Sequence, residues 1–118
     1  MSRSIAIVDN EPDTVQLFKD ILSTNGYNVA GFTNPLLALE HIQENQKEYD
    51  LILSDYKMTP IDGCELAKKI AKVNTTITII IITAVTDIGI NPLKLQVYFK
   101  PLLMNKLIDL VKKHISSV

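Results

Sequence analysis

Apolar residues follow one another along the chain in two alternating rhythms. The runs Ser4 to Val8, Asn28 to Phe32, Asp50 to Ser54, Thr76 to Thr83 and Gln96 to Phe99 are short, rich in β-branched or aromatic residues, and mostly apolar throughout. Continuous apolarity of this kind marks strands buried on both faces of a parallel sheet. The stretches between them carry helical spacing instead. In Pro12 to Gly26, Val15, Phe18, Ile21 and Leu22 share one stripe and Gly26 supplies the stop. The next segment opens with Asn34 as cap and Pro35 in the first turn, and aligns Leu36, Leu39 and Ile42. Asp62 to Val73 aligns Leu66, Ile70 and Val73; Pro101 to Ser116 aligns Leu103, Leu107, Leu110, Val111 and His114 or Ile115. Five strands alternating with helices predict an α/β fold, doubly wound, with right-handed crossovers and helices on both faces of a parallel sheet.

In an open sheet of this kind the ligand site lies beyond the carboxyl ends of the strands. Those ends carry Asp9, Asn10 and Glu11, then Thr33, Asp55 and Thr83, and finally Lys100 followed by Pro101. Three acids, an amide, two hydroxyls and a lysine converge on one rim. The stretch Asp9 to Pro12 also has an ordinary reading, because Asp and Asn are preferred helix caps and Pro is favoured in a first turn. The company of Asp55 and Lys100 gives it a chemical one.

Length and composition narrow the classes. The chain has 118 residues, which fits a single domain over 1–118 with one core and no output domain. A net charge of −1, with charges scattered, recommends no direct nucleic-acid partner. The one cysteine, Cys64, has no partner for a disulfide and no metal-ligand spacing, which suits a reducing, cytoplasmic setting. The longest apolar run, Ile77 to Ile82, falls far short of the roughly 20 residues that span a bilayer, so no membrane role is expected. No signal-peptide pattern opens the chain.

The motifs IVDNEPD, LILSDYKMTPIDG, IIIITA and YFKP, each at a strand end and in this order, resemble the receiver domain of two-component response regulators. The resemblance extends over essentially the whole chain. It implies a flavodoxin-like five-stranded sheet of order 2-1-3-4-5. It also implies that Asp55 accepts a phosphoryl group from a phosphohistidine on a histidine kinase or phosphotransfer protein. By the same resemblance Asp9, Asn10, Asp55 and the backbone carbonyl of Lys57 gather Mg2+, with Glu11 as a further candidate. Thr83 and Lys100 would contact the phosphoryl group, Pro101 would follow a cis peptide bond, and Asp62 with Gly63 would form the turn closing the site loop. The chain would promote its own phosphorylation and dephosphorylation without being a conventional enzyme. It would signal to a downstream protein by protein–protein contact.

The sequence departs from the family at three places. Asn10 stands where a carboxylate is usual; two unit charges about 4 Å apart interact by roughly 4 kcal/mol at an effective dielectric near 20, so weaker Mg2+ binding is expected, not its loss. Only Ala84 to Leu95 remain for the crossover between the fourth and fifth strands, and Gly89 and Asn91-Pro92 oppose a continuous helix there. That helix is expected to be shortened or absent. The family's aromatic switch position is Val97, with Tyr98 one place later, which puts the usual hydroxyl-to-aromatic coupling in doubt. The thinly covered fourth strand would be closed by Val85, Ile88, Ile90 and Leu93 or by a second copy, giving a homodimer through the fourth strand, fifth strand and last helix. Lys57 and Val85 flank the expected path of attacking water and would slow loss of the phosphoryl group.

Two other readings compete. One is a receiver-like module that is not switched by phosphorylation and acts as a constitutive interaction or dimerisation platform. The other, a small flavodoxin-like or phosphohydrolase enzyme, lacks a Gly-rich phosphate loop after the first strand and a second catalytic acid at the usual spacing after a nucleophilic Asp. His41 and His114 read as surface or boundary residues, and Cys64 and Met58 as packing residues.

Overall fold

Burial on both faces shapes every central strand of the sheet. In the computed structural model, which describes residues 4–86 and 93–115, the strands are β1 (Ser4–Val8), β2 (Asn28–Phe32), β3 (Leu51–Ser54), β4 (Thr78–Thr83) and β5 (Gln96–Phe99). The helices are α1 (Pro12–Thr24), α2 (Pro35–Glu44), α3 (Gly63–Ala71) and α4 (Met104–His114), with a short 3-10 turn at Gln46–Glu48. All strand pairs are parallel and the order is β2-β1-β3-β4-β5. This is the flavodoxin-like arrangement expected from the sequence.

Side chains alternate between the faces of a strand, and here each face has its own core. Ile5, Ile7, Leu51, Leu53, Ile80 and Ile82 pack with Val15, Phe18 and Leu22 of α1 and with Leu107, Leu110 and Val111 of α4. Ala6, Val8, Ile52, Ile77 and Ile79 pack with Ala38 and Ile42 of α2 and with Leu66, Ala67 and Ile70 of α3. The helices are bounded by local chemistry. Asn34 Oδ1 accepts from the Leu36 and Leu37 amides, and Asp62 and Glu65 form a reciprocal capping box at the start of α3. After α1, the Gly26 amide bonds to the Ser23 carbonyl and the Tyr27 amide to the Leu22 carbonyl; this closure needs φ of +93° at Gly26.

Several boundaries differ from the sequence reading. The ladder of β3 starts at Leu51, not Asp50, and that of β4 at Thr78, not Thr76. The Thr76 amide and hydroxyl both bond to Asn74 Oδ1, and this local turn competes with strand pairing. The last helix starts at Met104 rather than Pro101 because Leu103 is extended, with φ −68° and ψ 155°, and its side chain is exposed. In α2 the buried stripe is Pro35, Ala38 and Ile42, with Leu39 partly buried, and Leu36 is exposed. As expected, no helix occurs among the described residues between β4 and β5; the positions Ile88, Gly89, Ile90, Asn91 and Pro92 lie outside them.

Leu107 is fully buried between α4 and the sheet. Leu107→Ala is expected to lower the unfolding free energy by about 2–5 kcal/mol, read from urea denaturation, and a loss below about 1 kcal/mol would contradict this packing.

Candidate functional site

The register of the sheet delivers the functional side chains to one rim. Val8 pairs with Ser54, so the residues after them, Asp9 and Asp55, stand side by side, and the Asp55 amide donates to the Val8 carbonyl at 2.9 Å. The Lys100 amide donates to the Thr83 carbonyl at 2.9 Å, which holds the end of β5 beside that of β4. From there Lys100 Nζ reaches Asp9 Oδ2 at 2.8 Å and Asp55 Oδ2 at 3.2 Å. Asp9 is buried, while the Asp55 and Lys100 side chains keep 14% and 22% exposure. Asp55 is therefore the more accessible of the two carboxylates.

The remaining carboxylate oxygens are met by backbone. Asp9 Oδ1 accepts from the Glu11 amide at 2.9 Å, and Asp55 Oδ1 accepts from the Tyr56 amide at 2.8 Å. Burial pulls the Lys100 pKa down, but the hydrogen bond and charge of Asp9, then those of Asp55, outweigh it and raise the pKa above the usual lysine value. The ammonium thus stays charged through the neutral range. Glu11, not Asp9 or Asn10, occupies the cap position of α1, and it makes no side-chain cap bond.

The loop from Asp55 to Gly63 encloses the site. Gly63 donates to the Tyr56 carbonyl at 2.8 Å and lies under Asp55; a Cβ there would fall on the Asp55 carbonyl oxygen and within 2.9 Å of Ile81 Cδ1. Met58 is buried against the α2–α3 core. The Lys100–Pro101 peptide is cis, as the resemblance implied, and so is Thr59–Pro60. Asn10 Oδ1 accepts from the Thr59 amide at 2.9 Å and Nδ2 donates to the Thr33 carbonyl at 2.9 Å. Its oxygen is therefore turned to the loop. This tie through Thr59 and Thr33 was absent from the sequence reading, because the groups involved are backbone and leave no mark on residue type.

The donor set suits a hard divalent cation in part. Asp9 and Asp55 offer adjacent carboxylate oxygens, the ligand type such a cation requires. Asn10 Oδ1 already accepts from the Thr59 amide, Glu11 is exposed, and no group of three His, Cys, Asp or Glu residues suited to a metal occurs among the described residues. Thr83 is fully buried, and its Oγ1 accepts from the Val85 amide at 3.1 Å. Tyr98 packs on the α1–α4 face with its hydroxyl 3.4 Å from His114 Nε2, and alternation places Val97 on the opposite face. His41 is half-buried, bonded to the Tyr49 hydroxyl at 2.7 Å. Burial, and then Asp62, raise the pKa of the half-buried Cys64 thiol. Beside Lys100 opens a groove of about 460 Å³ lined by Thr14, Leu17, Phe18, Ala84, Pro101 and Leu102.

Comparison with known proteins agrees with this geometry. A family model described as the response regulator receiver domain matches residues 5–112. The chain is 28% identical to sporulation initiation phosphotransferase F of Bacillus subtilis over 98% of its own length and 95% of that protein's. It is 36% identical to transcriptional regulatory protein ZraR of Klebsiella oxytoca over 87% of its own length, but spans only 24% of that protein. Among solved structures, a response regulator receiver domain protein from Clostridium thermocellum superposes with a TM-score of 0.87 at 23% identity, over 98% of this chain and 94% of the other. The receiver domain of the hybrid histidine kinase CckA gives a TM-score of 0.81 at 28% identity, over 94% and 97%.

Gly63→Ala is expected to cost about 1–3 kcal/mol of stability, since the added carbon meets backbone that cannot yield cheaply. Thermal unfolding of the variant at the wild-type midpoint would show instead that the loop gives way without strain.

Proposed function

Because the chain belongs to the response regulator receiver family, we propose that Asp55 accepts a phosphoryl group from a phosphohistidine of a histidine kinase or phosphotransfer protein. The observation that carries this reading is the Lys100 ammonium lying between Asp9 and Asp55. A carboxylate oxygen of Asp55 attacks phosphorus, the P–N bond to the partner's imidazole breaks, and an aspartyl phosphate forms. The carboxylate is aimed beforehand, with Oδ1 tied to the Tyr56 amide and Oδ2 facing Lys100. Lys100 then pairs with the phosphoryl oxygens, as a charge-assisted donor. Asp9 and Asp55, with the Lys57 carbonyl, would hold Mg2+, which supplies positive charge to the transferred oxygens. The buried Thr83 hydroxyl would turn from the Val85 amide toward the new phosphoryl group.

The chain acts in this reading as a self-modifying cytoplasmic switch, not a conventional enzyme, with no direct contact to nucleic acid. No helix among the described residues is long and apolar enough to cross a membrane. Phe99, Leu103 and Met104 are large, apolar and exposed at the end of β5 and the start of α4. They favour this face for a downstream protein or a second copy. A constitutive, unswitched interaction module is the second reading, favoured by the Asn10 oxygen being engaged by Thr59.

Incubation with acetyl phosphate and Mg2+, followed by intact-mass measurement, is expected to add one phosphoryl group to the wild type and none to Asp55→Asn. A folded wild type that gains nothing would leave the unswitched module as the better reading. With Lys57 exposed at the loop and Val85 half-buried beyond Thr83, the phosphoryl group is expected to last many minutes or longer. Decay within seconds would remove the shielding role of these two residues.

A further inference from the structure

Both ends of the Asn10 amide are taken by backbone. Oδ1 accepts from the Thr59 amide at 2.9 Å, and Nδ2 donates to the Thr33 carbonyl at 2.9 Å, with a longer contact of 3.5 Å to the Thr59 carbonyl. A backbone N–H only donates and a carbonyl only accepts, so these partners dictate which way the amide points. A carboxylate at position 10 would keep the Thr59 amide as donor but turn its second oxygen on two carbonyl oxygens. The amide satisfies all of them.

The three connected segments lie at the same end of the sheet as the acceptor. Asn10 follows β1, Thr33 follows β2, and Thr59 lies in the loop that begins at Asp55 and ends at the Asp62–Glu65 capping box. That loop supplies the Tyr56 amide bonded to Asp55 Oδ1 and the Tyr56 carbonyl bonded to Gly63. We propose that Asn10 is a positioning residue, a latch holding the β3–α3 loop to the β2–α2 connection. The inference rests on the phosphoacceptor reading. It changes the meaning of the missing charge. An uncharged side chain able to donate as well as accept is what the latch requires, so the loop is in place before any ion binds.

The test uses the full chain and Asn10→Ala, a substitution at an exposed position that opens no core. In metal-free protein, hydrogen exchange of the Thr59 amide, followed by NMR, is expected to accelerate by about tenfold or more when its acceptor is removed. At saturating Mg2+ and acetyl phosphate, the maximal rate of Asp55 phosphorylation is expected to fall by about threefold or more, as for a misplaced acceptor. Unchanged Thr59 exchange or an unchanged maximal rate would each overturn the proposal. If the wild type itself binds no Mg2+ and accepts no phosphoryl group, the functional reading fails, and the metal-free exchange measurement still decides whether the latch exists.

Discussion

The ammonium of Lys100 is the constraint on which the rim depends. Two carboxylates at adjacent strand ends, one of them buried, repel each other and lose hydration, and the ammonium between them offsets both costs. Lys100 comes from the far end of the chain and meets Asp9 Oδ2 at 2.8 Å. That contact requires β5 to lie beside β4, which in turn lies beside β3, so the sheet order and the charge balance of the site are one arrangement. The raised pKa of Lys100 has the same origin, since the two acids more than offset the cost of partly burying it. Its stabilising contribution is complete below the ordinary lysine pKa and is lost only as pH rises through the higher value in the folded protein.

Much of the fold was legible in the sequence because it rests on periodicity. Continuous apolar runs such as Leu51 to Leu53 mean burial on both faces, and the two cores on either side of the sheet are what that pattern requires. The stripe of α1 came out as Val15, Phe18 and Leu22. Where the reading slipped, a short-range competitor had intervened. Asn74 draws Thr76 into a turn, and α2 turns Ala38 rather than Leu36 to the sheet. Such effects depend on a single hydrogen bond or a rotation of one residue, which an apolar pattern does not resolve.

The site was legible to the extent that it is made of charged side chains at strand ends. Asp9, Asp55, Thr83 and Lys100 are brought together at one rim, as their positions implied. Asn10 was legible in place but not in use. Its partners are the Thr59 amide and the Thr33 carbonyl, and any residue at those positions would offer the same groups. Sequence reading therefore finds the chemistry that side chains carry and misses the scaffolding that backbone supplies.

The division of the apolar interior by the sheet has a consequence for how the protein can vary. The cluster under α1 and α4 and the cluster under α2 and α3 share strands but alternate along them, so a side chain in one rarely touches a side chain in the other. Sites without shared partners contribute to stability almost additively. Each half of the interior can therefore drift through neutral substitutions on its own schedule. The strand ends, where Asp9, Asp55 and Lys100 answer to both halves at once, are where the two histories must agree.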